Sequence, residues 1–175
     1  MTQITLRPAA IEDVAAIVAL HVSVWRATYR TLVSDAVFAA LDEAYREARW
    51  KAALTNPGRD QLVLLAEQGE RLVGIGAVGA PSHEAFGGRG EIRFLYVDAT
   101  VKRQGIGRRL MRELARHLAD LKYPGAALGV VAGNDPAIAF YSSLGGTVIG
   151  SYVNPGPIWP SEDIVMVWDD LSLLA

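Results

Sequence analysis

The sequence predicts an α/β fold of the α+β type, one mixed central sheet of about six to seven strands flanked by about four helices. Three observations carry this. Short β-branched and aromatic runs alternate with amphipathic helical stretches along the chain. Residues 94–118 read as strand, turn and helix without interruption. Asn134-Asp135-Pro136 then opens a second, shorter helix, a capping side chain followed by proline in the first turn.

Each element has a local reason. Ile4-Thr5-Leu6-Arg7 alternates and stops at Pro8, as a first strand does. From Ala10 or Ile11, residues Val14, Ile17, Val18, His21, Val22, Trp25 and Thr28 recur at helical spacing. Ser34-Asp35 opens a second helix with Phe38, Leu41, Tyr45, Ala48 and Ala52 inward, stopped by Asn56-Pro57-Gly58. Residues 62–66 and 72–78 flank Gln68-Gly69-Glu70 as a hairpin, and residues 81–90 form a glycine-bearing loop. The central strand starts near Glu91, and the central helix runs on to about Leu121. Residues 127–132 are a short apolar strand, and the helix from Asn134 ends at Leu144-Gly145-Gly146. Residues 147–152 and 164–168 are the last strands, parted by a Pro- and Gly-bearing loop at 154–160. With no repeat, linker or low-complexity segment, residues 1–175 read as one domain.

The central turn carries the first functional signal. Arg103-Gln104-Gly105-Ile106-Gly107 puts two glycines where the chain enters a helix whose apolar face is Ile106, Leu110, Met111, Leu114, Ala115 and Leu118. A helix start exposes N–H groups without intrahelical partners at the positive end of the dipole, and glycine lets a phosphate come close. Arg103, Arg108, Arg109, Arg112 and Arg116 add charge around it.

Bulk properties bound the rest. Half the residues are apolar (51%) and 21% are charged, an ordinary globular composition. A net charge of −2 argues against electrostatic nucleic-acid binding. The absence of cysteine removes disulfides, thiolate metal sites and a cysteine nucleophile, and fits a reducing cytoplasm. The opening Met1-Thr-Gln-Ile-Thr-Leu-Arg lacks a basic-then-apolar leader, and no apolar run is long enough for a membrane span. The expectation is a cytoplasmic protein without membrane, nucleic-acid or metal partners.

Several motifs fail on context. Gly74-Ile75-Gly76-Ala77-Val78-Gly79 has the dinucleotide spelling, yet Pro81-Ser82 and a loop follow instead of a helix. We read it as a strand whose glycines permit close approach or a bulge. No P-loop and no Gly-x-Ser-x-Gly elbow occurs. His21, His83 and His117 show no ligand spacing, and His21, on the first helix's apolar stripe, suits packing or a pocket wall better than a metal.

Two motifs at their observed separation resemble the GCN5-related N-acetyltransferase family. Lys102-Arg103-Gln104-Gly105-Ile106-Gly107 is like that family's Gln/Arg-x-x-Gly-x-Gly/Ala loop after the fourth strand. Asn134-Asp135-Pro136-Ala137-Ile138-Ala139-Phe140-Tyr141, followed by Leu144-Gly145, is like its Asn-x-x-Ala-x-x-Phe-Tyr-x-x-x-Gly helix. Lys102 departs from the usual Gln or Arg, and Gly146 stands where an aromatic often follows.

The resemblance implies acetyl-CoA as co-substrate. Its pyrophosphate would lie on the backbone from Arg103 through Gln104, Gly105, Ile106 and Gly107 to Arg108, and its pantetheine arm along Leu95, Tyr96 and Val97. Asn134 and Ala137 would contact that arm, and Lys102, Arg103 or Arg108 the 3′-phosphate. A fourth-strand bulge, expected in the family, is not visible in the sequence. Acyl transfer to an amine calls for a base, an oxyanion donor and an acid for the thiolate. The resemblance nominates Glu91, Val97 N–H and Tyr141 for these roles. Trp25, Tyr29, His83 and Trp159, with the acids Glu84 and Glu162, are nominated for the acceptor wall. The leading expectation is an N-acetyltransferase acting by direct attack on the primary amine of a small molecule. A protein or peptide N-acetyltransferase and a non-catalytic acyl-CoA-binding module are the alternatives. A homodimer is compatible with the family.

Overall fold

The structure is a computed structural model and describes residues 3–175; Met1 and Thr2, the start of the stretch read for a leader, lie outside them. β1 (Ile4–Pro8) leads through a 3₁₀ turn into α1 (Val14–Tyr29), followed by α2 (Asp35–Ala40) and α3 (Glu43–Thr55). The hairpin β2 (Leu62–Gln68) and β3 (Arg71–Gly79) precedes β4 (Gly90–Val97) and α4 (Ile106–Asp120). The chain closes with β5 (Ala126–Val131), α5 (Asp135–Ser143), β6 (Thr147–Asn154) and β7 (Ser161–Trp168). The strands form one seven-stranded sheet in the order β1-β2-β3-β4-β5-β7-β6. Among the described residues only the β4–β5 pairing is parallel, so the sheet is mixed as expected. Among the described residues no helix is long and apolar enough to cross a membrane.

The single second helix is a correction, and it raises the α-helix count to five. The chain breaks at Leu41-Asp42, where Asp42 caps a new helix by accepting the Tyr45 N–H at 2.9 Å. The break resets the helical phase. Ala48 and Ala52, read as inward, are exposed, and Trp50 is the residue that is buried. The last strand also starts earlier than its apolar run, at Ser161, because Asp163 takes an inward position.

Helices cover both faces of the sheet. On one face α4 buries Ile106, Leu110, Met111, Leu114 and Leu118 completely. It comes this close because β3 carries glycines. A Cβ on Gly74 would lie 3.1 Å from Ile106 Cγ2, and one on Gly76 would lie 3.0 Å from Leu114 Cδ1. The dinucleotide-like spelling therefore serves helix packing. On the other face α1 and α3 bury Ile17, Val18 and Trp50 against Leu65 and Ile75. His21 is buried there too, its Nδ1 accepting the Trp50 Nε1–H at 2.9 Å. Burial, with Arg46 charge adding, pushes its pKa down to about 3, so it is neutral.

The centre of the sheet is split. β4 and β5 pair only at Gly90↔Ala126 and Glu91↔Ala127, then part. The β3–β4 register jumps from Ala77↔Phe94 to Val78↔Ile92, leaving Arg93 as an extra residue in β4. That bulge twists the strand away from its neighbour.

Candidate active site

A cleft of about 1160 Å³ opens where β4 and β5 part. Leu95, Tyr96 and Val97 form one side. Lys102, Arg103, Gly105, Ile106, Gly107 and Arg108 form its rim, and Asn134, Ala137 and Tyr141 face them from α5. Of the expected cofactor contacts, Gln104 alone lies off the wall, on the same exposed turn.

The rim is pinned at its start and free along its length. Asp98 Oδ1 accepts the Thr100 N–H at 2.8 Å and Asp98 Oδ2 accepts from Arg71 Nη2 at 2.6 Å. The Thr100 bonds, with Arg71 behind them, hold the Asp98 carboxyl below the usual range. Arg103 then adopts φ +64° and Gly105 φ +77°, and the first bond into α4 runs from the Arg109 N–H to Gly105 O at 3.0 Å. Among the described residues no backbone N–H from 102 to 108 donates within the chain. Successive free donors at a helix start form an anion cradle. Gly105 supplies the left-handed turn. Gly107 has a different reason: a Cβ there would lie 3.1 Å from Phe140 Cζ, so it lets α5 dock.

The arginines divide. Arg109 donates to Ile4 O at 2.9 Å, and Arg112 and Arg116 lie 3.9 Å and 2.8 Å from Glu113. Lys102, Arg103 and Arg108 are exposed, without ion pairs among the described residues, on the cleft rim. At the β4 edge, Asp98 N–H donates to Val73 O at 2.9 Å, on the β3 side. Strand N–H groups alternate in direction, so Val97 N–H faces the split.

Asn134 caps α5 with a long bond, Oδ1 accepting the Ala137 N–H at 3.4 Å. Tyr141 is buried between Phe140 and Trp168, with ring centroids 5.3 Å and 6.0 Å away. Burial, with Tyr29 adding, pushes its phenol above the usual tyrosine range, so it is a protonated donor. Trp25, Tyr29 and Trp159 gather into one aromatic cluster with centroids 5.1–6.2 Å apart. Only Tyr29 of these reaches the cleft wall.

His83 and Glu91 sit elsewhere, at the closed end of the split. Glu91 Oε2 accepts the Ser82 N–H at 2.8 Å and lies 3.6 Å from Arg93 Nε. His83 stacks on Tyr152 at 4.3 Å, and its Nδ1 accepts the Ala85 N–H at 3.0 Å. Neither lines the cleft wall, and Glu84 and Glu162 are exposed away from it.

A model of the acetyltransferase (GNAT) family matches residues 25–145, a span that includes both motifs and the split strand pair. The chain belongs to the GNAT acetyltransferase family. It is therefore an acyltransferase. A curated relative, the uncharacterised N-acetyltransferase YuaI of Bacillus subtilis, is 29% identical over 140 residues, 80% of this chain and 78% of the relative. The PaiA N-acetyltransferase of Thermoplasma acidophilum, solved with coenzyme A, superposes with a TM-score of 0.75 at 19% identity, covering 94% of this chain and 98% of that one. YncA of Salmonella typhimurium, a putative acetyltransferase solved with acetyl-CoA, gives 0.66 at 21% identity over 94% and 92%.

Two polar residues behind the cleft wall carry little signal in the sequence. Asp163 is buried, with Oδ1 accepting from Ser161 Oγ at 2.7 Å and Oδ2 from Asn154 Nδ2 at 3.1 Å. It stands behind Gly129 of the cleft wall, where a Cβ would lie 3.1 Å from Asp163 Oδ2 and 2.8 Å from the Tyr152 hydroxyl. Burial, then the charges of Asp163 and Glu91, push the Tyr152 phenol up to about 12. The signal was an acid in phase with Val165 and Val167 on a strand. The second is Arg46, which the phase error in the second helix concealed.

Proposed function

We propose that the chain transfers an acetyl group from acetyl-CoA to the primary amine of a small molecule, by direct attack within a ternary complex. The observation that carries this is the run of unpaired backbone donors from 102 to 108, opening onto the unpaired edge of β4. A pyrophosphate satisfies those donors, and an amide-bearing pantetheine arm pairs with β4 as an added strand. The exposed Lys102, Arg103 and Arg108 supply the charge for the 3′-phosphate.

In the reaction the amine lone pair attacks the thioester carbonyl carbon, forming the C–N bond and moving charge onto the carbonyl oxygen. Val97 N–H donates to that oxyanion. Collapse of the intermediate breaks the C–S bond, and the Tyr141 phenol gives its proton to the departing thiolate. Glu91, oriented by Ser82 N–H and Arg93, takes the amine proton through water. Because Glu91 stands at the closed end of the split, off the cleft wall, water carries the proton across the gap. Tyr29, backed by Trp25 and Trp159, walls the acceptor from one side, with Asp163 and Tyr152 behind Gly129. His83 supports Tyr152 by stacking.

The test is thiol release from acetyl-CoA over a panel of small amines and short peptides, with acetyl-CoA binding measured alongside. Release with small primary amines is the expected result. Release confined to peptides moves the acceptor class to proteins, and binding without any release removes the catalytic roles.

A further inference from the structure

We infer that the acceptor is an amine that also carries a carboxylate, an amino-acid-like molecule, and that Arg46 of α3 holds that carboxylate. The inference rests on the acetyltransferase reading and adds the substrate class. Arg46 stands beside the aromatic acceptor wall, its guanidinium carbon 5.2 Å from the Trp25 ring centroid and 5.7 Å from that of Tyr45. Trp25 in turn contacts Tyr29, which lines the cleft, with centroids 5.1 Å apart.

Among the described residues the guanidinium has no counter-charge. The acids that usually pair with a helical arginine lie three or four positions before it. Here Asp42 is spent on the cap, accepting the Tyr45 N–H, and Glu43 lies 3.5 Å from Arg26. The following acid, Glu47, pairs with Lys51. Among the described residues Arg46 forms no ion pair, and its Nε–H is buried without an acceptor. Arginine does not shed its proton near neutral pH, so a half-buried guanidinium without an anion is held at a cost in desolvation.

Through Trp25 it stands behind Tyr29, which lines the cleft together with Tyr96 and Tyr141. Burial raises the phenols of Tyr96 and Tyr29, and Arg46 acts against that rise in both. Arg46 itself stands off the cleft wall, behind Trp25 and Tyr29, so an acceptor with its amine at the Tyr141 end would extend past Tyr29 to set its far end at an unpaired fork donor. A planar carboxylate fits such a fork with two parallel bonds.

The experiment compares amino acids with their amides as acceptors in thiol release, for the wild type and for Arg46→Met and Arg46→Lys. Methionine keeps an apolar stem over Trp25, and lysine keeps a point charge without the fork. The wild type should favour each acid over its amide. Arg46→Met should raise KM for the acids about 10- to 100-fold, the loss of one charge-assisted contact. Arg46→Lys should restore part of it, and CoA affinity by calorimetry should stay as in the wild type. A merely structural Arg46 would instead weaken acids and amides alike. Equal use of acids and amides by the wild type, or a KM for acids that Arg46→Met leaves unmoved, overturns the inference while thiol release keeps the enzyme reading standing. A wild type that binds CoA and releases no thiol with any amine overturns both, and calorimetry shows which step failed.

Discussion

Tyr141→Phe isolates the chemical step more cleanly than any other substitution in the cleft. The change deletes one hydroxyl and leaves the ring, which packs edge-on against Phe140 and Trp168. Among the described residues no protein group bonds that hydroxyl, so its loss orphans no buried partner. The stability cost is then about 1 kcal/mol or less. The backbone is untouched, with Tyr141 O still accepting the N–H groups of Leu144 and Gly146. If the phenol protonates the thiolate, kcat falls by about 10²-fold or more, the usual worth of a positioned acid. Burial raises the phenol, so the acid stays protonated through the ordinary tyrosine range, and this group adds no falling alkaline limb below about pH 10. Thiol release gives kcat, and calorimetry with acetyl-CoA gives affinity on the same preparation. A kcat within about twofold of wild type refutes the acid role, and a parallel collapse of acetyl-CoA affinity shows Tyr141 to be a binding residue instead.

Three further outcomes are expected. Glu91→Gln, which can still accept from Ser82 N–H, should lower kcat about 10²-fold near neutrality and progressively less as pH rises and the amine deprotonates unaided; a loss equal at every pH refutes the base role. Gly105→Ala meets no neighbouring atom but forces a side chain to φ +77°, a strain of about 1–2 kcal/mol that should appear as weaker CoA binding and a lower Tm. His21 has a folded pKa of about 3 against an ordinary 6.5, so it favours folding above pH 6.5 and that contribution is lost as pH falls toward 3. Denaturant titrations should show stability falling by up to about 1.4 kcal/mol per pH unit across that window, with a shallower slope in His21→Phe.

The parts of this molecule that could be read from sequence are those written locally. The turn at Arg103–Gly107 and the cap at Asn134 each announce themselves within a few residues, and the cleft forms between them. The break at Leu41-Asp42 was hidden because an apolar stripe continued through it by chance, with Tyr45 in phase on either reading. That concealed Arg46. The bulge at Arg93 depends on how β3 pairs with β4, a property of two strands that neither spells alone. His83 and Trp159 read in the sequence as one wall, yet His83 stacks on Tyr152 while Trp159 packs against Tyr29, because a loop's position in sequence does not give the direction it folds.

The cleft also explains why so strained a turn persists. A residue other than glycine at φ +64°, as Arg103 is, costs about 1–2 kcal/mol. The unpaired N–H groups beside it add to that whenever water cannot reach them. Against this stands α4, whose Ile106, Leu110, Met111, Leu114 and Leu118 are all fully buried, each contributing about 1.5–3 kcal/mol. The helix is anchored from its first residue, since Ile106 itself lies under Gly74 of β3. The turn cannot relax by unwinding α4 without exposing Ile106, and it cannot move outward while Asp98 is tied to Thr100 and Arg71. The donors are thus held ready before any ligand arrives. Binding energy from an anion at this turn is then not consumed in ordering it.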